Sequence, residues 1–432
     1  MTSQATAPPS HEGRWLVAVM GTVLQIGLGT VYAWSFFQKP MKAHFAAGTD
    51  APIAWVFSLS IFFLGFSAAI GGVVLPRLGP RKLALAGALL YPAGWLLGSV
   101  GLSHHSLPIL YLGYGAVGGI GLGLAYVTPV ATVAKWFPDR RGLVTGMVLM
   151  GFGLGALTMA KVVGPALMKA SQNDLTAVFL HTGIIVAAVC LPAAAFLRNP
   201  PARHSPVGDY ADYSAETAAS ESRIQLTPRQ CLWSWRFAMM WMVFFCNVCA
   251  GIMFIGFQSP MLQEILKRSQ PGMDAVVLGE MGAMLIAVSS LSNGIGRMLW
   301  GGVSDRIGRV STFRFILASE MLAFVALSFA PSPGVFALLV CYVMLGYGGG
   351  FGTMPSFVLD TFGARVMPVV YGGILTAWSM AGIAGPQLVA RIKDSFPTQA
   401  GTATFLVGAG LLATGLLISL FLDDKAFSPT AS

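Results

Sequence analysis

Charge is what this chain has least of. It holds 26 Lys and Arg and 17 Asp and Glu in 432 residues, so 10% of it is charged, against roughly 25% in soluble domains. A water-soluble globule is excluded, because too few ionised side chains are present to cover its surface. Cysteine is scarce as well: Cys190, Cys246, Cys249 and Cys341 fall within apolar stretches and Cys231 at the edge of one. No disulfide framework follows. Cys246 and Cys249 have the spacing of a redox or metal pair, but they sit mid-helix without histidine nearby, and packing accounts for them better. The six histidines (His11, His44, His104, His105, His181 and His204) occupy tails, loops or helix ends. An enzyme embedded in the membrane would need a nucleophile and base, or metal ligands, converging within the bilayer. The sequence points to no enzyme, no metal and no cofactor.

What the chain does have is apolar length. It is 55% hydrophobic with a mean hydropathy of +0.71, and about 20 apolar residues span a bilayer as a helix. Twelve such stretches can be drawn, at 14–37, 53–76, 82–101, 107–134, 142–168, 175–197, 232–258, 277–304, 309–331, 333–359, 366–391 and 401–422. An even number puts both termini on one side. Seventeen of the 26 Lys and Arg lie in the tails or in loops on that side, among them Arg140, Arg203 and Arg223, and eight lie on the other, so the termini are expected in the cytoplasm. The net charge of +9 is then a topology signal, and a nucleic-acid partner is excluded for want of a soluble basic face.

The polar tails and linker divide the chain. The expected organisation is an N-terminal tail at 1–13 without the features of a secretory signal, a six-helix bundle at 14–197, a cytoplasmic linker at 198–231, a second bundle at 232–422 and a tail at 423–432. Gly72 and Gly79 recur as Gly301 and Gly308 with the same spacing, and Pro129 and Gly146 recur as Pro355 and Gly372. The offsets nearly agree, as in a duplication. The fold class is therefore an all-α membrane protein of two six-helix pseudo-repeats, an architecture suited to two halves rocking about a central site. Secondary transport is the leading function.

One stretch, 288–309, concentrates the chemistry. Read as a helix, Ile286, Ser290, Asn293, Arg297, Gly301 and Ser304 share one face. A guanidinium within a bilayer costs at least ~2.5 kcal/mol on insertion scales and is expected to face a cavity or a partner. Snorkelling is the alternative, since Arg297 is only about 12 Å from the end of its helix at 1.5 Å per residue. Elsewhere Gln25 and Tyr32 share a face of the first helix, Tyr126 follows the glycines of the fourth, and Tyr347 and Phe351 are a turn apart in the tenth. Trp378 lies early in the eleventh. Each aromatic alone could be ordinary packing; together with a buried arginine they could enclose a small organic anion.

These residues also carry a resemblance. Gly301, Asp305, Arg306, Gly308 and Arg309 follow the G-x-x-x-D-R-x-G-R loop pattern of the major facilitator superfamily. The runs GTVYAWSFF, KWFPDRRGLVTG, NGIGRMLWGGVSDRIGR and YGGILTAWSMAG are similar to the oxalate/formate antiporter family and its monocarboxylate-transporting relatives. The resemblance implies a carrier of small carboxylate anions with Arg297 binding the carboxylate and Asn293 beside it. Tyr32, Tyr126, Tyr347 and Phe351 would line the site. Gln25, Phe152 and Leu375 stand at lining positions where the family's residue differs or was expected to be aromatic.

Two departures refine the expectation. Where the oxalate carrier has a second cation, a lysine of the eleventh helix, this chain has Trp378. One arginine balances one carboxylate, so charge counting points to a monocarboxylate such as lactate, pyruvate or formate over oxalate. In the first loop, with Gly72, Gly79 and Arg81, Pro76 replaces the family's aspartate. The conformational latch would then rest on Asp305 with Arg306, Gly308 and Arg309. Proton symport and anion exchange both stay open. Glu280, Glu320 and Asp360 are the titratable candidates, and Glu320, mid-helix, needs a partner that the sequence does not name. A carboxylate sensor is a remaining alternative. The chain is otherwise expected as a functional monomer in a bacterial inner membrane, in contact with lipid and its anion, with a proton as candidate co-substrate.

Overall fold

The computed structural model describes residues 12–137, 141–200, 226–329, 332–363, 365–396 and 399–427. Most of the two polar tails and of the linker, with His11, His204, Arg140, Arg203 and Arg223, lies outside them. Among the described residues twelve helices are long and apolar enough to cross a membrane. In chain order they are α1 (Gly13–His44), α2 (Ala51–Leu78), α3 (Pro80–Ser103), α4 (Leu107–Trp136), α5 (Val144–Ala170), α6 (Leu175–Ala195), α7 (Trp235–Ser269), α8 (Ala275–Ile307), α9 (Arg309–Leu327), α10 (Pro333–Phe362), α11 (Met367–Ser395) and α12 (Ala400–Ser419).

Helix starts follow from local chemistry. Asp174, Ser234, Asp274 and Ser332 each accept a backbone N–H two or three residues on, capping α6, α7, α8 and α10. The equivalent ends of α2 and α8 are Gly79 and Gly308, with φ of +76° and +89°. A side chain there would be strained, which is why the two spaced glycine pairs of the sequence terminate helices in the same way.

Two helices run past the apolar stretches that composition marks. α1 continues to His44 and α7 to Ser269, because Lys39 of one donates to Gln263 of the other at 2.7 Å and the polar turns remain helical while pairing. α1 is also interrupted, by a 3-10 turn at Thr30–Ala33. The Thr30 hydroxyl bonds the Gly27 carbonyl at 2.7 Å and the Tyr91 hydroxyl at 2.8 Å. This interruption sets the direction of Tyr32.

Small residues bring the first six helices onto the last six. Gly65 of α2 abuts Leu375 and Ser379 of α11, and the Ser379 hydroxyl donates to the Phe62 carbonyl at 2.7 Å. Gly153 of α5 meets Gly294 of α8. Beside that crossing Ser290 donates to the Gly153 carbonyl and accepts from the Leu157 N–H. Ser290, expected on a cavity-facing stripe, instead joins two helices. The wide turn of α5 at Met159–Val163 follows at once and frees backbone groups that such a hydroxyl can satisfy.

Candidate functional site

Arg297 is fully buried at the centre of the bundle. Its place is set by α10, whose Gly348 and Gly352 lie against the backbone of Asn293 and Arg297, while Gly296 of α8 abuts Leu345. A Cβ at any of these three positions would collide with backbone. The glycine-rich run of α10 thus lets the arginine helix approach closely, and Arg297 projects toward the first half rather than snorkelling to an end.

Its guanidinium is incompletely satisfied. Nη1 donates to the Tyr126 hydroxyl at 3.3 Å and Nε to Asn293 Oδ1 at 3.4 Å, while Nη2 and Asn293 Nδ2 have no hydrogen-bond partner. The guanidinium carbon stands 4.6 Å from the centroid of the Phe351 ring and 5.4 Å from that of Phe152. Ring faces offset part of the cost of a buried cation. They do not replace a counter-charge, and the two N–H bonds of Nη2 are left for an acceptor.

Aromatic rings from both halves close around it. Trp378 lies 4.7 Å from Phe351, 5.2 Å from Tyr126, 5.8 Å from Phe152 and 6.1 Å from Tyr32. The hydroxyls of Tyr32 and Tyr347 meet across the halves in a hydrogen bond. Gln25 uses its amide N–H to bond the Tyr126 carbonyl at 3.1 Å, leaving Oε1 unpaired. Leu375 is buried on α11 one turn before Trp378. The sequence-derived set of Gln25, Tyr32, Tyr126, Phe152, Asn293, Arg297, Tyr347, Phe351 and Trp378 is therefore brought into a single cluster. Tyr371 was missed. Its hydroxyl lies beside that of Tyr126 without an aligned hydrogen bond, and its spacing from Leu375 and Trp378 on one helical face was the available signal.

The loop residues lie apart from this cluster. Arg309 donates to Asp305 at 2.6 Å and to Asp360 at 2.9 Å, clasping α8, α9 and α10 of the second half. Asp424, from beyond α12, accepts the Val310 N–H at 2.9 Å and so occupies the start of α9. Arg81 and Arg306 are exposed, whereas Gly72 abuts Pro368 and takes part in the α2–α11 crossing between halves.

A second inter-half contact lies at the opposite face and was not read from the sequence. Lys393 of α11 reaches Asp50 at 3.1 Å and Glu264 at 3.0 Å, and Lys42 reaches Asp50 at 2.7 Å. Burial alone would raise the Asp50 pKa, but the hydrogen bond from Lys42 and the charge of Lys393 outweigh it and hold the carboxyl below its ordinary range. Charges spread over residues 42, 50, 264 and 393 form no local motif.

The profile of the Major Facilitator Superfamily matches residues 15–386. The chain belongs to the major facilitator superfamily. It is a secondary transporter and a multi-pass membrane protein, as its twelve spans and its superfamily require. Over 387 residues this superfamily member is 27% identical to the oxalate:formate antiporter of Oxalobacter formigenes, covering 89% of this chain and 86% of that one. It is 27% identical over 425 residues to apicoplast pyruvate carrier 1 of Toxoplasma gondii, covering 87% and 75%. To monocarboxylate transporter 13 of Rattus norvegicus it is 26% identical over 428 residues, covering 96% and 90%. A crystal structure of the nucleoside transporter NupG superposes with a TM-score of 0.64 at 12% identity, covering 94% and 99%. That last likeness concerns the fold alone.

Proposed function

We propose that this major facilitator carries small monocarboxylates by alternating access, with Arg297 as the carboxylate-binding group. The observation that carries the reading is the fully buried guanidinium whose Nη2 has no partner. A cation removed from water at a cost of several kcal/mol calls for an anion, and aromatic rings around it suit a small organic one. Asn293 Nδ2, also unpaired, is a second donor for a carboxylate or for an oxygen next to it. The named activities of the pyruvate and monocarboxylate relatives support the same class. Lactate, pyruvate and formate are the substrates we assign, moved by proton symport or by exchange.

The rest of the reading follows from charge. Seventeen basic residues on the side of the termini against eight opposite support a cytoplasmic location for that face, in a carrier of the plasma membrane. Crossings between the two six-helix bundles, at 14–197 and 232–422, then form the hinge surfaces of a monomeric carrier. The Asp50 cluster, which joins the halves, serves as a latch at one face, while the Asp305 clasp holds α8, α9 and α10 together at the other.

Uptake of radiolabelled lactate, pyruvate, formate and oxalate into proteoliposomes, with and without an inward proton gradient, tests the reading. Monocarboxylate flux that disappears in Arg297→Gln is the expected result. A second reading, exchange of oxalate for formate, draws on the Oxalobacter formigenes relative; it takes over if oxalate enters only against an internal counter-anion. Binding of an acid without flux in vesicles holding this protein alone would turn the carrier into a sensor.

A further inference from the structure

Glu320 lies mid-way along α9 and is buried, far from the loop clasp. Asn247 of α7 donates to its Oε2 at 2.9 Å, while Glu320 Oε1 and Asn247 Oδ1 have no hydrogen-bond partner. The bonded pair is thus left with one unpaired acceptor at each end and no donor for either. The niche is shaped by α10, since a Cβ at Gly346 would strike Glu320 Oε1 and one at Gly350 would strike Asn247 Oδ1. Those glycines are one turn apart, on the face of α10 turned toward α7 and α9.

Each glycine precedes a residue of the candidate site. Tyr347 follows Gly346, packs its ring on Gly251 and bonds Tyr32; Phe351 follows Gly350 and lies under Arg297. One and a half turns of α10 therefore touch the carboxyl on one side and the anion cluster on the other.

We propose that Glu320 is the proton-binding site of the carrier, taking up one proton per cycle and reporting its state to the anion site through the Gly346–Phe351 segment of α10. Protonation converts the carboxylate to a carboxylic acid, which removes the buried charge and gives Glu320 a donor of its own. Removing the proton leaves a charge among acceptors and forces α7, α9 and α10 apart or toward water. A metal cation does not fit, because such ions take about six oxygen ligands and here there are two orphaned ones.

Among the described residues, the elements packed against Glu320 turn no charged side chain toward it. From α7 it meets Asn247, with Cys246 turned to Gly415 and Cys249 one turn on. From α10 it meets Gly346 and the backbone of Tyr347, whose phenol points away to Tyr32. On α8, Arg297 faces Tyr126 and Asp305 pairs with Arg309. Within α9, Arg314 is bonded to the Ser419 and Leu422 carbonyls. α12 carries no ionisable side chain.

This inference rests on the monocarboxylate reading for its transport assay, and a second readout keeps the two separable. In proteoliposomes, Glu320→Gln, which mimics the protonated acid, is expected to keep exchange of labelled for unlabelled monocarboxylate and to lose accumulation driven by a proton gradient; Glu320→Asp is expected to keep both. Infrared difference spectra of the purified carrier, stepped from acid to alkaline pH, are expected to show a carboxylic-acid band that titrates and is absent from Glu320→Gln. A Glu320→Gln protein that still accumulates substrate, or that loses exchange as well, overturns the proposal, as does the lack of a titrating band. If wild-type protein moves none of the acids, the monocarboxylate reading fails and the infrared result alone decides the fate of Glu320.

Discussion

Arg297 of α8 donates through Nη1 to the hydroxyl of Tyr126 on α4, 3.3 Å away across the two halves. The bond ties the buried cation to the first half while Phe351 supports it from the second. Arg297→Lys is expected to abolish monocarboxylate uptake although it keeps the charge, because an ammonium lacks the planar fork and ring stacking of a guanidinium. Tyr126→Phe removes one hydrogen bond from a charged donor, worth about 1.5–3 kcal/mol, and should raise the KM for uptake by roughly ten- to a hundredfold with little loss of maximal rate. Equal losses in both variants would argue that Tyr126 does more than position the arginine.

Trp378 touches four rings of the cluster and stands at the position where the resemblance to the oxalate carrier would put a lysine. Trp378→Lys is expected to create a site for two carboxylates, with oxalate inhibiting or replacing monocarboxylate uptake. Isothermal calorimetry on the purified variant, with oxalate and lactate in parallel, reads the exchange of preference. Unchanged preference in a folded variant would remove charge counting as the basis of selectivity.

Asp50 titrates with a definite sign. Its carboxyl is held below its ordinary value, near 3.9, by Lys42 and Lys393 against the opposing effect of burial. The contribution of the pair is complete above that ordinary value and is lost as pH falls through the lower folded value. Closure of this face should therefore be insensitive to pH near neutrality and weaken only in strong acid. Asp50→Asn should release it at every pH, seen as faster labelling of a cysteine placed near Lys393 by a membrane-impermeant maleimide. Labelling of wild type that accelerates between about pH 8 and pH 6, the range of histidine, would assign the closure to another group.

Gly352 and Gly302 form a matched pair. A Cβ at Gly352 would strike the Arg297 backbone, whereas one at Gly302 meets open space. Gly352→Ala is expected to cost about 1–3 kcal/mol by overpacking and to lower both Tm and uptake as α8 is pushed away from α10. Gly302→Ala should leave both near wild type. Thermal unfolding in detergent and uptake measured on the same preparations make the comparison.

The sequence determined a good deal without help. Scarce charge and twelve apolar stretches were enough for a polytopic helical protein, since each span must satisfy its own backbone hydrogen bonds in lipid. A lone arginine in such a span was legible as a candidate site because its cost there is so far from ordinary. The glycine pairs ending at Gly79 and Gly308 were legible because a positive φ leaves few alternatives. Tertiary structure alone decided the rest. It turned Ser290 into a bridge between helices, gave Asn247 to Glu320, set Tyr371 beside Tyr126 and joined Asp50 to Lys393. These pairs lie from 73 to 343 positions apart in the chain, Ser290 and Gly153 being 137 apart. Helical periodicity orders neighbours three or four residues apart on one face; which face meets which distant face is set by packing between helices, where a glycine or a wide turn decides how closely two backbones approach.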